Sequence, residues 1–189
     1  MVTDIKKLDL DKKYSYADYI TWKFKERVEL IKGKVFTMSP APSRIHQEIS
    51  SFFHGELYQL LKKSSCHLFA APFDVKLSNK DDATVVQPDI CVICDKSKLK
   101  DFGCEGAPDL IIEILSPGNS HKEMKDKFLL YEENMVKEYW LVSPQEKSIL
   151  IYSFQEGRYI GSKPFVSGET AVSVCFNEFK VNLDEVFKE

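Results

Sequence analysis

The spacing of apolar residues changes several times along the chain, and each change predicts an element. Ser15 followed by Asp18 has the form of a capping box, opening a short helix through about Lys23 with Tyr16, Tyr19, Ile20 and Trp22 as its apolar set. RVELI and KVFTM then flank Lys32–Gly33, which predicts a hairpin. SPAPS (Ser39–Ser43) reads as a hinge-like linker whose Ser43 caps the next element. From Arg44 to Lys63, Ile45, Ile49, Phe52, Phe53, Leu57, Leu60 and Leu61 recur at helical spacing and predict the longest helix. HLFAAPFDVKL is mostly extended, and Pro72 implies a bend or an edge. After a polar turn at Asn79–Asp82, VVQPDICVI (Val85–Ile93) and DLIIEIL (Asp109–Leu115) read as strands on either side of a charged loop, Asp95–Gly106. The second is apolar on both faces, as befits a central strand covered on both sides by helices. SPGNS ends it. A helix follows from His121 to about Asn134, with Met124, Phe128, Leu129 and Tyr131 toward the core. EYWLV, SILIYSF and RYIG are strands or hairpin arms, and Leu183–Phe187 is a helical turn.

Helix, three strands, helix, strand between Arg44 and Val142 implies an α/β fold around a central mixed sheet flanked by helices, with the N-terminal helix and hairpin added. One domain over residues 1–189 is expected from the length. The composition, 43% apolar and 29% charged, is that of a globular chain. Its formal charge of −3 gives no whole-molecule attraction to polyanions. No apolar run approaches the roughly 20 residues a bilayer span requires. The lysine-containing N-terminus lacks the apolar block of a signal peptide, so a cytoplasmic location with no membrane partner is expected. Five scattered cysteines, an odd number, argue against structural disulfides. Cys91 and Cys94 lie three apart in a strand, hence on opposite faces, and are expected as buried small hydrophobes.

Two acids interrupt the apolar strands: Asp89 in VVQPDICVI and Glu113 in APDLIIEILSP. A carboxylate on a core strand is costly unless a cation meets it. Mg2+ or Mn2+ shared between them accounts for both, since these ions take hard oxygen ligands and lower the pKa of a bound water. The backbone carbonyl of Ile114 is a candidate third oxygen. Lys127, on the helix after the Glu113 strand, is the candidate to orient the attacking water or stabilise charge, with Lys122 and Lys125 as alternatives. Tyr131 lies one turn on, either in the core or with its hydroxyl at the rim. Asp109, of the same parity as Glu113, is a strand-start residue or a supporting acid. Each acid alone is also compatible with a solvated strand end.

A proline–aspartate followed after one β connection by a second acid resembles the restriction-endonuclease-like superfamily. More narrowly, ELIKG (Glu29–Gly33), MSPAPSRIHQEI (Met38–Ile49), VVQPDI, EGAPDLIIEILSPGN and KDKFLLYEENMVKEYWLVSP strongly resemble the Uma-two family, a bacterial group abundant in cyanobacteria and regarded as endonucleases. The resemblance runs from about Tyr14 to Phe187. It implies a restriction-endonuclease-like fold, DNA as substrate and Mg2+ or Mn2+ as cofactor, with Asp89 and Glu113 as the signature acids. The signature lysine is absent, since Leu115 occupies its place, and the family's helix lysine matches Lys127. Glu29 matches a family acid that completes the metal site. His46 falls in the HQ block, either near the site or as a helix-start residue. Two other functions stay open: a non-catalytic nucleic-acid-binding or protein-interaction module, and a small phosphoester hydrolase. KSKLK (Lys96–Lys100) and HKEMKDK (His121–Lys127) are either backbone contacts or solvated faces. The last hairpin offers a surface for a homodimer.

Overall fold

Lys32 and Gly33 both adopt positive φ, 49° and 78°, the geometry that reverses a chain between two twisted antiparallel strands. Glycine is required there: a Cβ on Gly33 would stand 3.1 Å from Lys13 Cβ and 3.3 Å from the Tyr14 carbonyl. The turn joins β1 (Val28–Ile31) to β2 (Lys34–Thr37) as the sequence predicts. The computed structural model describes residues 2–38, 41–78, 83–117 and 121–188, and the side chains of Ser78 and residues 121–123 lie outside that description. Ser39 and Pro40 of the linker, the Asn79–Asp82 turn, Gly118–Ser120 of SPGNS and the Lys122 side chain are therefore outside the described residues.

Ahead of the hairpin, α1 (Tyr16–Tyr19) carries the expected capping box. Ser15 Oγ accepts from the Asp18 amide (3.2 Å), and Asp18 Oδ2 accepts from the Ser15 amide (2.8 Å). The helix stops short of Lys23 because Trp22 leaves it to bridge Val2, whose carbonyl accepts from the Lys23 amide at 2.9 Å. Ile20 is exposed. Then α2 (Arg44–Leu61) begins at the Ser43 cap, which accepts from the His46 amide at 3.2 Å. Ile49, Phe53 and Leu57 bury its apolar stripe, while Ile45 faces solvent.

The two long extended stretches each divide between two sheets, and this corrects the single strands expected from sequence. HLFAAPFDVKL becomes β3 (His67–Ala70) and β4 (Asp74–Ser78), joined through a cis Ala71–Pro72 bond at the expected bend. VVQPDICVI becomes β5 (Thr84–Val86) and β6 (Ile90–Ile93). Both crossings occur side by side, with the Ala71 amide donating to the Asp89 carbonyl at 3.0 Å. The charged loop is also structured, holding β7 (Leu99–Lys100) and β8 (Gly103–Glu105) as an antiparallel pair.

The remaining elements are β9 (Leu110–Ile114), α3 (His121–Glu133), β10 (Glu138–Ser143), β11 (Ser148–Gln155), β12 (Arg158–Gly161), β13 (Thr170–Val172), β14 (Lys180–Asn182) and α4 (Leu183–Val186). One sheet runs β2-β1-β5-β4-β8-β7, the other β12-β11-β10-β9-β6-β3, and β13-β14 form a separate pair. Both large sheets are mixed: β9 and β10 are parallel, as are β4 and β8, among antiparallel neighbours. The fold is α/β with central mixed sheets and few helices.

All of β9 is buried. Its Leu110, Ile112 and Ile114 pack in one cluster with Ile49, Phe53 and Leu57 of α2. Ile111 packs in a second cluster with Leu130 and Tyr131 of α3. The covered central strand is therefore present. On α3 the inward position is Leu130, 2% exposed, and Leu129 is 38% exposed, which corrects the expected core face by one residue. The cysteine expectation is corrected too: a disulfide joins Cys66 to Cys94 across 28 positions. Cys91 and Cys104 are free and buried.

Candidate active site

Strand parity delivers the two acids to one place by different routes. Glu113 shares the face of Ile111, so it points toward α3. There Lys127 donates to its Oε1 at 2.8 Å and Tyr131, one helical turn on, donates to the same oxygen at 2.6 Å. Asp89 sits where the chain passes from β5 into β6. The Ile114 amide donates to its Oδ2 at 2.8 Å, and His46 Nε2 from α2 lies 3.2 Å from the same atom. Glu29 arrives from β1: its Oε1 accepts from Lys127 at 3.3 Å and from the Gln87 amide at 3.0 Å. Lys127 thus bridges two acids from different sheets.

These side chains open onto one cavity of about 540 Å3, bounded by the β1–β2 hairpin, α2, β9 and α3. Glu29, Asp89, Glu113, His46, Lys127 and Ile114 all line it. Glu29 and Glu113 are 5% and 8% exposed, so water screens their repulsion poorly. Burial pushes the Glu113 carboxyl up to about 7, with Lys127 opposing the shift and Asp89 and Glu29 reinforcing it. Burial disfavours the charged form of Lys127, but Glu113 and Glu29 outweigh it and raise its pKa. The Asp89 hydrogen bond raises His46 against the opposing effect of burial. Three carboxylates face one ammonium and one imidazole, and the Arg27 guanidinium lines the same cavity.

Tyr131 is fully buried with its hydroxyl on Glu113, and burial holds that hydroxyl protonated. Asp109 lies apart from the cluster, as the strand-start residue. It accepts from Lys137 at 2.6 Å and from the Cys94 amide at 2.8 Å, beyond the opposite end of β9. Lys125 is exposed. Glu138, a further core acid, is occupied by the amides of Val174 (2.8 Å) and Cys175 (2.6 Å) and by the Trp140 indole. Sequence reasoning also passed over Arg27 and His54, which line the same cavity. Arg27 was legible in RVELI, where alternation puts it on the face of Glu29.

A family model described as "Putative restriction endonuclease", Uma2, matches residues 16–184. The chain belongs to the Uma2 family. Uncharacterized protein slr1290 of Synechocystis is 28% identical to it over 143 residues, which are 74% of each chain. The crystal structure of an Anabaena variabilis protein described as a putative nuclease belonging to DUF820 superposes with a TM-score of 0.69. It covers 92% of this chain and 97% of its own at 22% identity, which establishes a shared fold. The nuclease-like fold expected from the proline–aspartate motif is thus the fold of this Uma2 chain.

The donor set can be judged against a divalent metal. Among the described residues, no three His, Cys, Asp or Glu side chains close on one metal position. Mg2+ does not need such a cage, being commonly held by one or two carboxylates with several waters retained. Asp89 and Glu113, with hard oxygens converging on one cavity, fit that requirement.

Proposed function

We propose that this Uma2 protein is a Mg2+- or Mn2+-dependent endonuclease that hydrolyses phosphodiester bonds in DNA. The observation that carries the reading is the meeting of Asp89, Glu113 and Lys127 in one cavity, with Lys127 2.8 Å from Glu113. Asp89 and Glu113 would hold the metal with waters completing its shell, and Glu29 and the Ile114 carbonyl would add oxygens through such waters. The metal, when bound, supplies a Lewis acid at the phosphoryl oxygen and a water acidic enough to attack phosphorus.

The chain's own groups do the rest. Lys127 holds its proton and directs its ammonium into the cavity, where it can orient the attacking water or offset charge growing on the phosphoryl group. Tyr131 fixes the Glu113 carboxylate by donating to Oε1, leaving Oε2 for the cavity. His46 and the Ile114 amide fix Asp89 Oδ2 in the same way, leaving Oδ1. Lys127 stands in for the lysine that the superfamily motif places two residues after its second acid, here Leu115.

Manganese titration by calorimetry and nicking of supercoiled plasmid test the reading together. Asp89→Asn and Glu113→Gln should each lose both the binding heat and nicking. Lys127→Met should keep Mn2+ binding while nicking falls at least about 100-fold. Leu115 supports one rival, a metal-binding scaffold without hydrolysis, in which Lys127 serves only the ion pairs with Glu29 and Glu113. Wild-type protein that binds Mn2+ and leaves plasmid and oligonucleotide intact would favour that rival.

A further inference from the structure

The wall of the cavity beside the carboxylates is furnished with donors rather than acids. Arg27, two residues before Glu29, is held by a chain of hydrogen bonds through the β5–β6 connection, β4 and α1. Its Nε donates to Gln87 Oε1 (2.8 Å), Gln87 Nε2 donates to Asp74 Oδ1 (2.8 Å), and the Tyr19 hydroxyl donates to that same Asp74 oxygen (3.1 Å). Gln87 also donates its amide to Glu29, so one residue sets both the arginine and the acid. Yet Arg27 Nη2 is buried and meets no acceptor among the described residues. A buried charged donor left unmet costs more than the 1–3 kcal/mol typical of a neutral group. The fold thus positions a guanidinium at the cavity wall with one nitrogen unmet among the described residues.

Across the cavity, α2 presents a polar stripe. His46, Ser50 and His54 recur every four residues and all line the space, on a helix that buries Ile49, Phe53 and Leu57. The Nδ1 atoms of His46 and His54 are both buried and have no partner among the described residues, and His46 as a residue is 7% exposed. Arg27, His46 and His54 thus all line the cavity that the acids line, and each carries one buried nitrogen with no partner among the described residues.

We infer that Arg27, with His54, takes a phosphate adjacent to the one being cut, so that the substrate is a polynucleotide strand with consecutive phosphates and not a phosphomonoester. A guanidinium pairs with phosphate through parallel N–H donors, which would give Nη2 the acceptor it lacks among the described residues. The cavity volume is in the range that encloses a molecule of drug size, larger than a lone phosphoryl group. This assignment rests on the endonuclease reading and adds to it which groups hold the strand beside the reacting centre.

The test is fluorescence anisotropy of a labelled single-stranded oligodeoxynucleotide over a salt series, with Ca2+ replacing Mn2+ to suppress cutting. Arg27→Gln should weaken binding about tenfold or more, and the slope of log K against log salt should shrink by about 0.7, one phosphate's worth. Arg27→Lys should restore the slope and part of the affinity, since it keeps the charge and loses the fork. Weaker binding with an unchanged slope, in protein that melts as wild type does, would reduce Arg27 to a structural role and overturn the assignment. So would unchanged binding. Wild-type protein that binds no DNA removes the endonuclease reading separately. Inorganic phosphate then decides the subsite by arginine-edited NMR: a saturable shift of the Arg27 side-chain signal, absent in Arg27→Gln, keeps it as a phosphate site, and a silent titration ends it.

Discussion

At the residue scale the site turns on one acid. Glu113 is buried on a core strand, and its carboxyl titrates near 7 because burial and the neighbouring Asp89 and Glu29 outweigh Lys127. A carboxyl raised in the folded state favours folding fully below its unfolded value, and that contribution is lost as pH rises through about 7. Binding a divalent ion requires the ionised form, so metal affinity should fall as pH drops below about 7, with proton release on binding. Calorimetry in two buffers of different ionisation enthalpy should show proton release at about pH 6 and almost none at about pH 8. Lys127 meets Glu113 at 2.8 Å and Glu29 at 3.3 Å with little exposure of any of the three. Lys127→Met strands both acids, and a broken buried pair costs about 3–5 kcal/mol. Urea unfolding in EDTA should show a loss of that order. Saturating Mn2+ should recover much of it, because a cation then meets the stranded charge.

At the scale of elements, local chemistry was legible where the deciding residues are neighbours. The Lys32–Gly33 turn, the Ser15 capping box and the Ser43 cap each need only a few adjacent positions. Ser43→Ala should cost about 1 kcal/mol, and its effect should reach the site because the cap holds the His46 amide. A chemical-shift change at His46 together with a lowered melting point would show that coupling. What the pattern hid was the passage between sheets. Gln87-Pro88-Asp89 interrupts two apolar runs, and an alternation rule joins runs that tertiary pairing separates: β5 pairs with β1 and β4, whereas β6 pairs with β3 and β9. The cysteine pairing was hidden for a similar reason. Cys66 and Cys94 lie 28 positions apart and meet only because β3 is laid along β6. A closed loop of that length stabilises by about 3–4 kcal/mol in the chain-entropy account. Reductant should lower the unfolding free energy by about that amount, and Cys94→Ser should start at the lower value and show no further response.

Over the whole molecule, the charge that sequence composition averages away is concentrated in one place. The formal charge of −3 is small, yet Glu29, Asp89 and Glu113 share one cavity with a single lysine. Asp89 and Glu113 were legible because carboxylates inside apolar strands need an explanation, and Glu29 only through the family resemblance. Of the donor wall, alternation in RVELI could have paired Arg27 with Glu29, whereas His54 looks like an ordinary helix residue until α2 is laid along the cavity. A polyanion approaching the metal-free protein meets that carboxylate cluster, so wild type should bind DNA weakly in EDTA at moderate salt. A divalent ion held there as proposed would reverse the local field. It should also bind the folded chain in preference to the unfolded one, whose acids are dispersed. At about one hundred times its dissociation constant, such an ion adds about 2.7 kcal/mol of stability. For a chain of this length that is a rise of about 5–10 °C in melting temperature. Asp89→Asn should abolish both the rise and the metal-dependent gain in DNA affinity. A DNA-binding gain that survives Asp89→Asn would place the ion at some other surface, and the carboxylate cluster would then serve only to lock the two sheets and α3 together through Lys127.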